Sequence, residues 1–178
     1  DTGGVWQYTT SSNSPELAGH TGEFTCVQAK AGRHGPVRVH NTFHFAHADG
    51  TPYYPFGTTC YAWTHQTEAL EEQTLKTLET AGFNKMRMCV FPKHYPFNHN
   101  EPVYYPFERS ASGEHDFTRF NPEFFRHFEK RVGQLRDMGI EADIIVFHPY
   151  DNWGFARMDE ETDYHYLRYL VARLSAFS

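Results

Sequence analysis

The sequence predicts an α/β fold in which strands and helices alternate after an N-terminal stretch of short β-strands. From residue 54 onward, strand-forming apolar runs and amphipathic segments follow one another in the order β-α-β-α-β-α. This alternation is typical of a parallel sheet with right-handed crossovers. The run at 144–147 is apolar at every position, as expected of a strand covered on both faces. Before residue 49, short alternating runs are separated by Gly, Ser and Pro, which indicates β-strands joined by turns.

Charge and composition limit the classes of protein to which the chain can belong. Its 178 residues include 16 Lys+Arg and 22 Asp+Glu, a formal net charge of -6, which argues against a nucleic-acid partner. Hydrophobic residues make up 39% and aromatic residues 17%, enough for a packed core. No run approaches the roughly 20 apolar residues of a membrane span, so no membrane contact is expected. No signal peptide is visible, which slightly favours a cytoplasmic over a secreted location.

The N-terminal strands are predicted at 5–9, 22–27, 37–39 and 43–45. A few such short strands cannot bury a core alone. They are therefore expected to be the last strands of a larger sheet domain, or edge strands laid on the next domain. A turn at 49–52 separates them from the alternating part of the chain.

The first βα unit begins with a strand at 54–60, and its helix opens at Thr64 or Thr67. Ala81-Gly82 ends this helix in the manner of a glycine C-cap. The apolar stripe expected to face the core consists of Leu70, Leu75 and Leu78. The acids of the first turns are Glu68, Glu71 and Glu72. Of these, Glu71 and Glu72 are expected to be solvated.

The second unit contains a strand at 83–91 and then a long segment, 92–120, which is expected to be a functional loop. Asn121 and Pro122 are the predicted N-cap and first position of the next helix. That helix ends at Gly139. Its predicted buried stripe is Phe124, Phe125, Phe128, Val132, Leu135 and Met138.

The third unit contains a strand at 140–147 that leads into the polar and aromatic stretch 148–154. A helix is predicted from 160 to 177. The residues expected on its inner side are Tyr166, Leu167, Leu170, Val171 and Leu174.

The carboxyl ends of the three predicted strands are where a ligand of a parallel α/β sheet would bind. They combine aromatic with charged side chains, of which the most prominent are Tyr61 and Trp63, Arg87 and Lys93, and His148, Tyr150, Asp151 and Trp153. Aromatic rings cover the C–H faces of sugars, while carboxylate, guanidinium and imidazole groups bind hydroxyls. The pattern therefore predicts a carbohydrate as the partner. Each tryptophan taken alone is better explained by packing, and it is the equivalent position of Trp63 and Trp153 in two βα units that makes sugar contact an equally good explanation.

Other site chemistries have little support in the sequence. His148 and Asp151 could ligate a metal, but no third ligand stands at a recognisable spacing. The strand-helix turns contain neither a phosphate-binding glycine pattern nor a nucleophile elbow. The three cysteines, Cys26, Cys60 and Cys89, form neither a disulfide framework nor a zinc signature. No metal and no cofactor are expected.

Four segments in combination resemble the (β/α)8-barrel glycoside hydrolases of clan A that are related to family 5. The segments are 57–66 (GTTCYAWTHQ), 83–93 (FNKMRMCVFPK), 116–122 (DFTRFNP) and 147–155 (FHPYDNWGF). The resemblance covers residues 36–178, and residues 1–35 resemble the end of the β-sandwich that precedes the barrel. It implies that 49–178 is the first three βα units of a TIM (β/α)8 barrel. Residues 1–48 are then the C-terminal strands of the β-sandwich and a linker.

The resemblance also implies hydrolysis of an O-glycosidic bond in an oligosaccharide or polysaccharide, by a retaining mechanism with two glutamates. These are an acid/base in an Asn-Glu pair after the fourth strand and a nucleophile after the seventh. The chain reaches only the third helix, and its one Asn-Glu pair, Asn100-Glu101, lies in the long segment. No catalytic residue can therefore be assigned, and the chain is expected to need the remainder of its own polypeptide for activity. The expected substrate-binding residues are Tyr61, Trp63, Arg87, His148, Asp151 and Trp153.

Two alternatives stay open at this point. A non-catalytic carbohydrate-binding or scaffold protein of smaller, complete α/β fold would have no unpaired strand edge, whereas a barrel fragment would expose the edge of its third strand. A flavodoxin-like enzyme would need an anion-binding turn after the first strand, which residues 57–59 supply poorly.

Overall fold

The structure is a computed structural model that describes residues 3–29 and 31–177. The chain divides into two units, Asp1–Tyr53 and Tyr54–Ser178. Neither described part of the chain contains a helix long and apolar enough to cross a membrane.

The first unit is made of two small antiparallel sheets. Strands β1 (Gly4–Thr9) and β2 (Thr21–Cys26) form a hairpin, with a short 3-10 helix in the connection. Strands β3 (Val37–His40), β4 (His44–His47) and β5 (Pro52–Tyr53) pair in that order. The strands predicted in this region are therefore confirmed.

The strands of the first unit bury little apolar surface. Trp6 and Phe24 are cross-strand neighbours, yet their side chains are 46% and 57% exposed. Ala46 and Tyr53 are buried. This agrees with the expectation that a few short strands cannot bury a core alone.

The second unit has the predicted βα alternation with one added hairpin. Its strands and helices are β6 (Gly57–Thr59), α1 (Glu68–Ala81), β7 (Lys85–Cys89), β8 (Phe107–Arg109), β9 (His115–Phe120), α2 (Pro122–Asp137), β10 (Glu141–Ile145) and α3 (Glu160–Leu174). Strands β6 and β10 both pair with β7 in parallel, so β7 is central. The predicted parallel sheet is confirmed.

The two faces of this sheet differ in character. Met86 and Met88 are 0% exposed and join the hydrophobic core with residues of α1 and α2. Because side chains alternate along a strand, Arg87 lies on the opposite face. Asp143 on β10 is its register partner, so the two charged side chains lie side by side on the face that the helices leave open.

Helix α1 follows the prediction at its ends and departs from it along its buried face. Thr67 is the N-cap, and Gly82 ends the helix in the left-handed conformation at φ 69, which glycine adopts without strain. The expectation for Leu70 is wrong, since it is 50% exposed. The expectation that Glu71 is solvated is also wrong, because its side chain is 0% exposed. Positions 71, 75 and 78 form the inner stripe instead.

Glu71 is buried because a cation from α2 meets it there. Arg131, also 0% exposed, places Nη2 2.7 Å and Nε 2.8 Å from Glu71 Oε2. His127 Nε2 lies 3.0 Å from the other oxygen of the same carboxylate. Arg131 also donates to Glu72. This ionic cluster fixes α1 against α2, and breaking such a buried pair is costly.

The long segment 92–120 is not structureless throughout, contrary to expectation. It contains the hairpin β8–β9, whose register shifts between Phe107 and Glu108. Phe107 is buried, with its ring 5.1 Å from that of Phe120 and 6.2 Å from that of Phe155. A strand of three residues is too short to reveal an alternating pattern, so the sequence gives no signal for it.

The remaining helices confirm most of the predicted core. Asn121 caps α2 by accepting a hydrogen bond from the Glu123 N–H, and Phe124, Phe125, Phe128, Val132 and Leu135 are all buried. Along α3, Tyr166 and Leu170 face inward. Val171 is 56% exposed, so its predicted inward position is wrong. The strand before α3 ends at Ile145 rather than 147, and Phe147 is 42% exposed.

Candidate functional site

Arg87 is held in a fixed orientation on the open face of the sheet. Its Nη2 and Nε lie 2.8 Å and 3.0 Å from Asp143 Oδ2, and Lys85 Nζ lies 3.5 Å from the same oxygen. The Arg87 side chain is still 52% exposed. The guanidinium therefore keeps donors available while its partner restricts its rotation.

Lys93 brings the ends of all three parallel strands together. Its Nζ lies 3.6 Å from the centroid of the Tyr61 ring, 4.8 Å from that of Tyr95 and 4.7 Å from that of Tyr150. Tyr61 follows β6, Tyr95 follows β7 and Tyr150 follows β10. Cation–π attraction thus joins three loops that are distant in sequence. Tyr61, predicted as a substrate contact, lies in this cluster.

Two imidazoles support the backbone that follows β7. His65 Nε2 lies 3.0 Å from the Val90 carbonyl oxygen, and His148 Nε2 lies 3.1 Å from that of Phe91. The backbone N–H of Tyr150 donates to His148 Nδ1 at 3.2 Å. Burial lowers the pKa of both imidazoles, to about 4 for His65. His148 is thus neutral with its proton on Nε2, and both of its nitrogens have protein partners.

The Asp151 carboxylate is fully engaged by the turn that follows it. Its Oδ1 accepts from the backbone N–H groups of Trp153 at 2.6 Å and Gly154 at 3.1 Å, and its Oδ2 accepts from Ala156 at 2.7 Å. Gly154 has φ 99, a left-handed conformation that favours glycine. Asp151 therefore shapes the loop that carries Trp153.

Trp153 lies half-buried beside the long segment. Its Nε1 donates to Glu101 Oε2 at 2.8 Å, and the Tyr105 hydroxyl donates to the same oxygen. These two hydrogen bonds lower the pKa of Glu101, with Tyr105 the larger contributor. Sequence reasoning did not include Glu101 in the site, although its place in an aromatic-rich loop between two strand ends was a usable signal.

Trp63 does not join the other predicted residues. Its side chain is 3% exposed and lies in the hydrophobic core. Its Nε1 donates to the Glu71 carbonyl oxygen at 3.2 Å. The indole therefore offers no face to a ligand, and packing accounts for it.

The described residues form neither a metal-binding cluster nor a reactive thiol site. Within 3–29 and 31–177, no three His, Cys, Asp or Glu side chains lie together as a metal site. The nitrogens of His148 and the oxygens of Asp151 already bind protein groups. Burial raises the pKa of the Cys60 thiol, and that of Cys89 to about 11, so both stay protonated at neutral pH.

An open groove of about 820 Å³ runs along α3. It is lined by Glu160, Glu161, Tyr164, His165, Arg168 and Tyr169. None of the predicted substrate contacts lines it. The strand ends are the candidate site because they carry the aromatic and charged side chains that suit a sugar.

Comparison with known proteins identifies relatives of this arrangement. The family model described as "Apiosidase-like, catalytic domain" matches residues 39–178. A crystal structure at 1.80 Å from Bacteroides vulgatus ATCC 8482, of a protein provisionally assigned to the glycoside hydrolases, is 49% identical with a TM-score of 0.91. That match covers 99% of this chain but 37% of the other, so the chain spans little more than a third of that relative.

More distant structures share the fold alone. A glycoside hydrolase family 5 protein from the same organism has a TM-score of 0.58 at 16% identity, covering 79% of this chain and 30% of that one. A second structure, named only as a glycoside hydrolase, has a TM-score of 0.58 at 14% identity, with 79% and 32% coverage. No curated protein matches the chain.

Proposed function

Because the chain belongs to the apiosidase-like catalytic-domain family, we propose that it forms part of the sugar-binding site of a glycoside hydrolase. The full-length protein hydrolyses an O-glycosidic bond in an oligosaccharide or polysaccharide. The observation that carries this proposal is the 49% identity, over 99% of the chain, to a relative provisionally assigned to the glycoside hydrolases. The aromatic and charged side chains at the three strand ends support it.

The proposed architecture is the first three βα units of a TIM (β/α)8 barrel in residues 49–178. Residues 1–48 are the last strands of a β-sandwich and a linker. The parallel order β6-β7-β10 supports the barrel, because consecutive barrel strands are neighbours. The open face with Arg87 and Asp143 suits a barrel interior, since side chains from neighbouring strands share it.

The proposed mechanism is retaining, with one glutamate as acid/base and a second as nucleophile, their carboxyl groups about 5–5.5 Å apart. The described glutamates lie in helices, in the β8–β9 hairpin, in the N-terminal unit and at the start of β10, with Glu101 as the exception. No pair of them stands at the strand carboxyl ends. We therefore assign both catalytic glutamates to residues outside 1–178, and we expect these 178 residues alone not to hydrolyse a glycoside.

Three of the predicted substrate contacts retain groups that a sugar could meet. Tyr61 and Trp153 offer aromatic surface, and Arg87 offers guanidinium donors. His148 and Asp151 are proposed to act indirectly, by holding the loop that carries Trp153. Trp63 is left out because it is buried.

The test is hydrolysis by the full-length gene product. A panel of aryl glycosides and oligosaccharides, including one with a terminal apiosyl residue, should contain a substrate. Proton NMR of the first-formed product should reveal the anomeric configuration of the starting glycoside, as a retaining enzyme requires. An inverted product would contradict the mechanism. Sugar binding without turnover would favour a non-catalytic carbohydrate-binding protein instead.

A further inference from the structure

We propose that Glu101 is a positioning residue that holds the Trp153 indole as one wall of the sugar-binding site. The inference rests on the proposed function, since it assigns the indole to sugar contact. It adds a residue that lies outside the strand ends, in the long segment between β7 and β8.

Trp153 is restrained at two separate points. Its backbone N–H donates to Asp151 Oδ1 at 2.6 Å, and its indole Nε1 donates to Glu101 Oε2 at 2.8 Å. The body of the side chain packs against the hydrophobic core. The first hydrogen bond restrains the main chain and the second restrains the rotation of the ring.

Glu101 is itself tied down by a second aromatic donor. The Tyr105 hydroxyl donates to the oxygen that accepts from Trp153. The Arg109 guanidinium lies 4.9 Å from the centroid of the Tyr105 ring and donates to the Gly113 carbonyl oxygen at 2.7 Å. The chain from Glu101 to the β8–β9 hairpin is thereby linked to a loop 52 residues away in sequence.

The hydrogen bond between Glu101 and Trp153 lies at the surface, and this exposure indicates what the carboxylate contributes. An exposed indole N–H can donate to water at little cost, so satisfying this donor does not require a carboxylate. What the carboxylate adds is a fixed acceptor and hence a fixed ring plane. This is the property that a stacking surface for a sugar ring needs.

Glu101 does not suit the role of catalytic acid. Hydrogen bonds from Tyr105 and Trp153 lower its pKa, so it is ionised at neutral pH. A general acid needs a raised pKa and a free proton to donate. The two donors instead match the needs of a carboxylate that orients its neighbours.

The experiment uses the full-length gene product and the variants Glu101→Ala and Glu101→Gln. Subtracting the emission of the same protein with Trp153→Phe isolates the Trp153 indole from other tryptophans. Glu101→Ala should lower the Trp153 emission anisotropy and increase acrylamide quenching. Its KM should rise about tenfold, with kcat changed less than about threefold, because the lost contact acts in ground state and transition state alike. Glu101→Gln keeps a carbonyl acceptor and should give an intermediate result.

Glu114→Ala is the matched control, because Glu114 is an exposed acid in the hairpin turn of the same segment. Its emission and KM should equal those of the wild type. Unchanged Trp153 emission in Glu101→Ala would overturn the proposal whatever the activity. So would a large loss of kcat at constant KM, which would place Glu101 in the reaction itself.

The failure of the proposed function gives a different result. A wild-type protein that neither binds nor hydrolyses any glycoside overturns the sugar wall together with the proposed function. The emission measurement would in that case still separate an oriented indole from a free one. If Glu101→Ala altered the Trp153 emission and left KM unchanged, only the proposed contact between the Trp153 indole and the sugar would be overturned.

Discussion

Lys93 Nζ lies 3.6 Å from the centroid of the Tyr61 ring, although the two residues follow different strands of the parallel sheet. The rings of Tyr95 and Tyr150 complete the surroundings of this ammonium at 4.8 Å and 4.7 Å. A single cation therefore connects the ends of β6, β7 and β10. The Lys93 side chain therefore links the three loops that are proposed to bind a sugar, and backbone pairing between the strands does not account for this link.

Replacing Lys93 by methionine should loosen these loops. The variant retains most of the apolar stem and loses the ammonium, so the unfolding free energy should fall by about 1–2 kcal/mol. Urea denaturation measures the change, with Lys76→Met on the exposed side of α1 as the matched control. An equal effect of both substitutions would mean that the three rings contribute nothing specific.

Replacing Arg87 by alanine should affect activity more than stability. The pair with Asp143 is partly exposed, so the unfolding free energy should change by less than about 1 kcal/mol. Loss of the fixed guanidinium should lower kcat/KM more than about tenfold. Arg126→Ala removes a surface ion pair of α2 and should leave kcat/KM unchanged. If the two variants had the same kcat/KM, Arg87 would not belong to the site.

Arg131→Met should cost about 3–5 kcal/mol of unfolding free energy, because it leaves the Glu71 carboxylate buried without its cation. The double variant Glu71→Leu with Arg131→Met should recover most of this loss, since neither charge is then buried. Chemical denaturation of both, beside Arg126→Met, tests the coupling. A double variant no more stable than Arg131→Met would argue against a charge-based origin.

His65 should make the protein sensitive to acid. Burial lowers its pKa from 6.5 to about 4, so its contribution to stability is complete above pH 6.5 and is lost as the pH falls toward 4. Over this interval the unfolding free energy of the wild type relative to His65→Gln should drop by about 3 kcal/mol, at about 1.36 kcal/mol per pKa unit. Gln retains a donor for the Val90 carbonyl.

The corresponding control is His44→Gln, which changes an exposed histidine of β4. Subtracting its effect removes any general consequence of losing one imidazole. A His65→Gln difference that is flat between pH 6.5 and 4 would contradict the assignment of acid sensitivity to His65.

The two strand-end tryptophans should differ in their effect on sugar binding. Trp153→Ala should weaken sugar binding and also lower the unfolding free energy, since the half-buried indole packs against the hydrophobic core. Trp63→Phe should leave sugar binding intact and lower stability by about 1–2 kcal/mol, because the hydrogen bond to the Glu71 carbonyl is lost. Calorimetric binding and denaturation of both variants give the comparison. Equal sugar affinity for Trp153→Ala and the wild type would remove Trp153 from the site.

The sequence predicted the helix ends at which one residue type determines the local backbone conformation. Asn121 and Pro122 begin α2, and Gly82 ends α1, because capping and left-handed geometry depend on few neighbours. The three-residue strand β8 escaped prediction because it carries no period of its own. The buried faces of the helices were predicted except at positions such as Leu70 and Val171. Their side chains are exposed because the elements that pack against a helix decide which of its faces is buried, and the sequence does not reveal those elements.

The sequence by itself determined the chemistry available at the strand ends and the α/β alternation that brings those ends to one edge. Only the tertiary structure decided which groups remain free. His148 and Asp151 are residue types that often contact ligands, yet their side-chain nitrogen and oxygen atoms are already hydrogen-bonded to backbone groups. Trp63 and Trp153 occupy equivalent places along the chain, yet one is buried beside Arg131 and the other is held at the surface by Glu101. The partners of His148 Nε2, Trp63 and Trp153 Nε1 lie far away in sequence, so only tertiary packing assigns them.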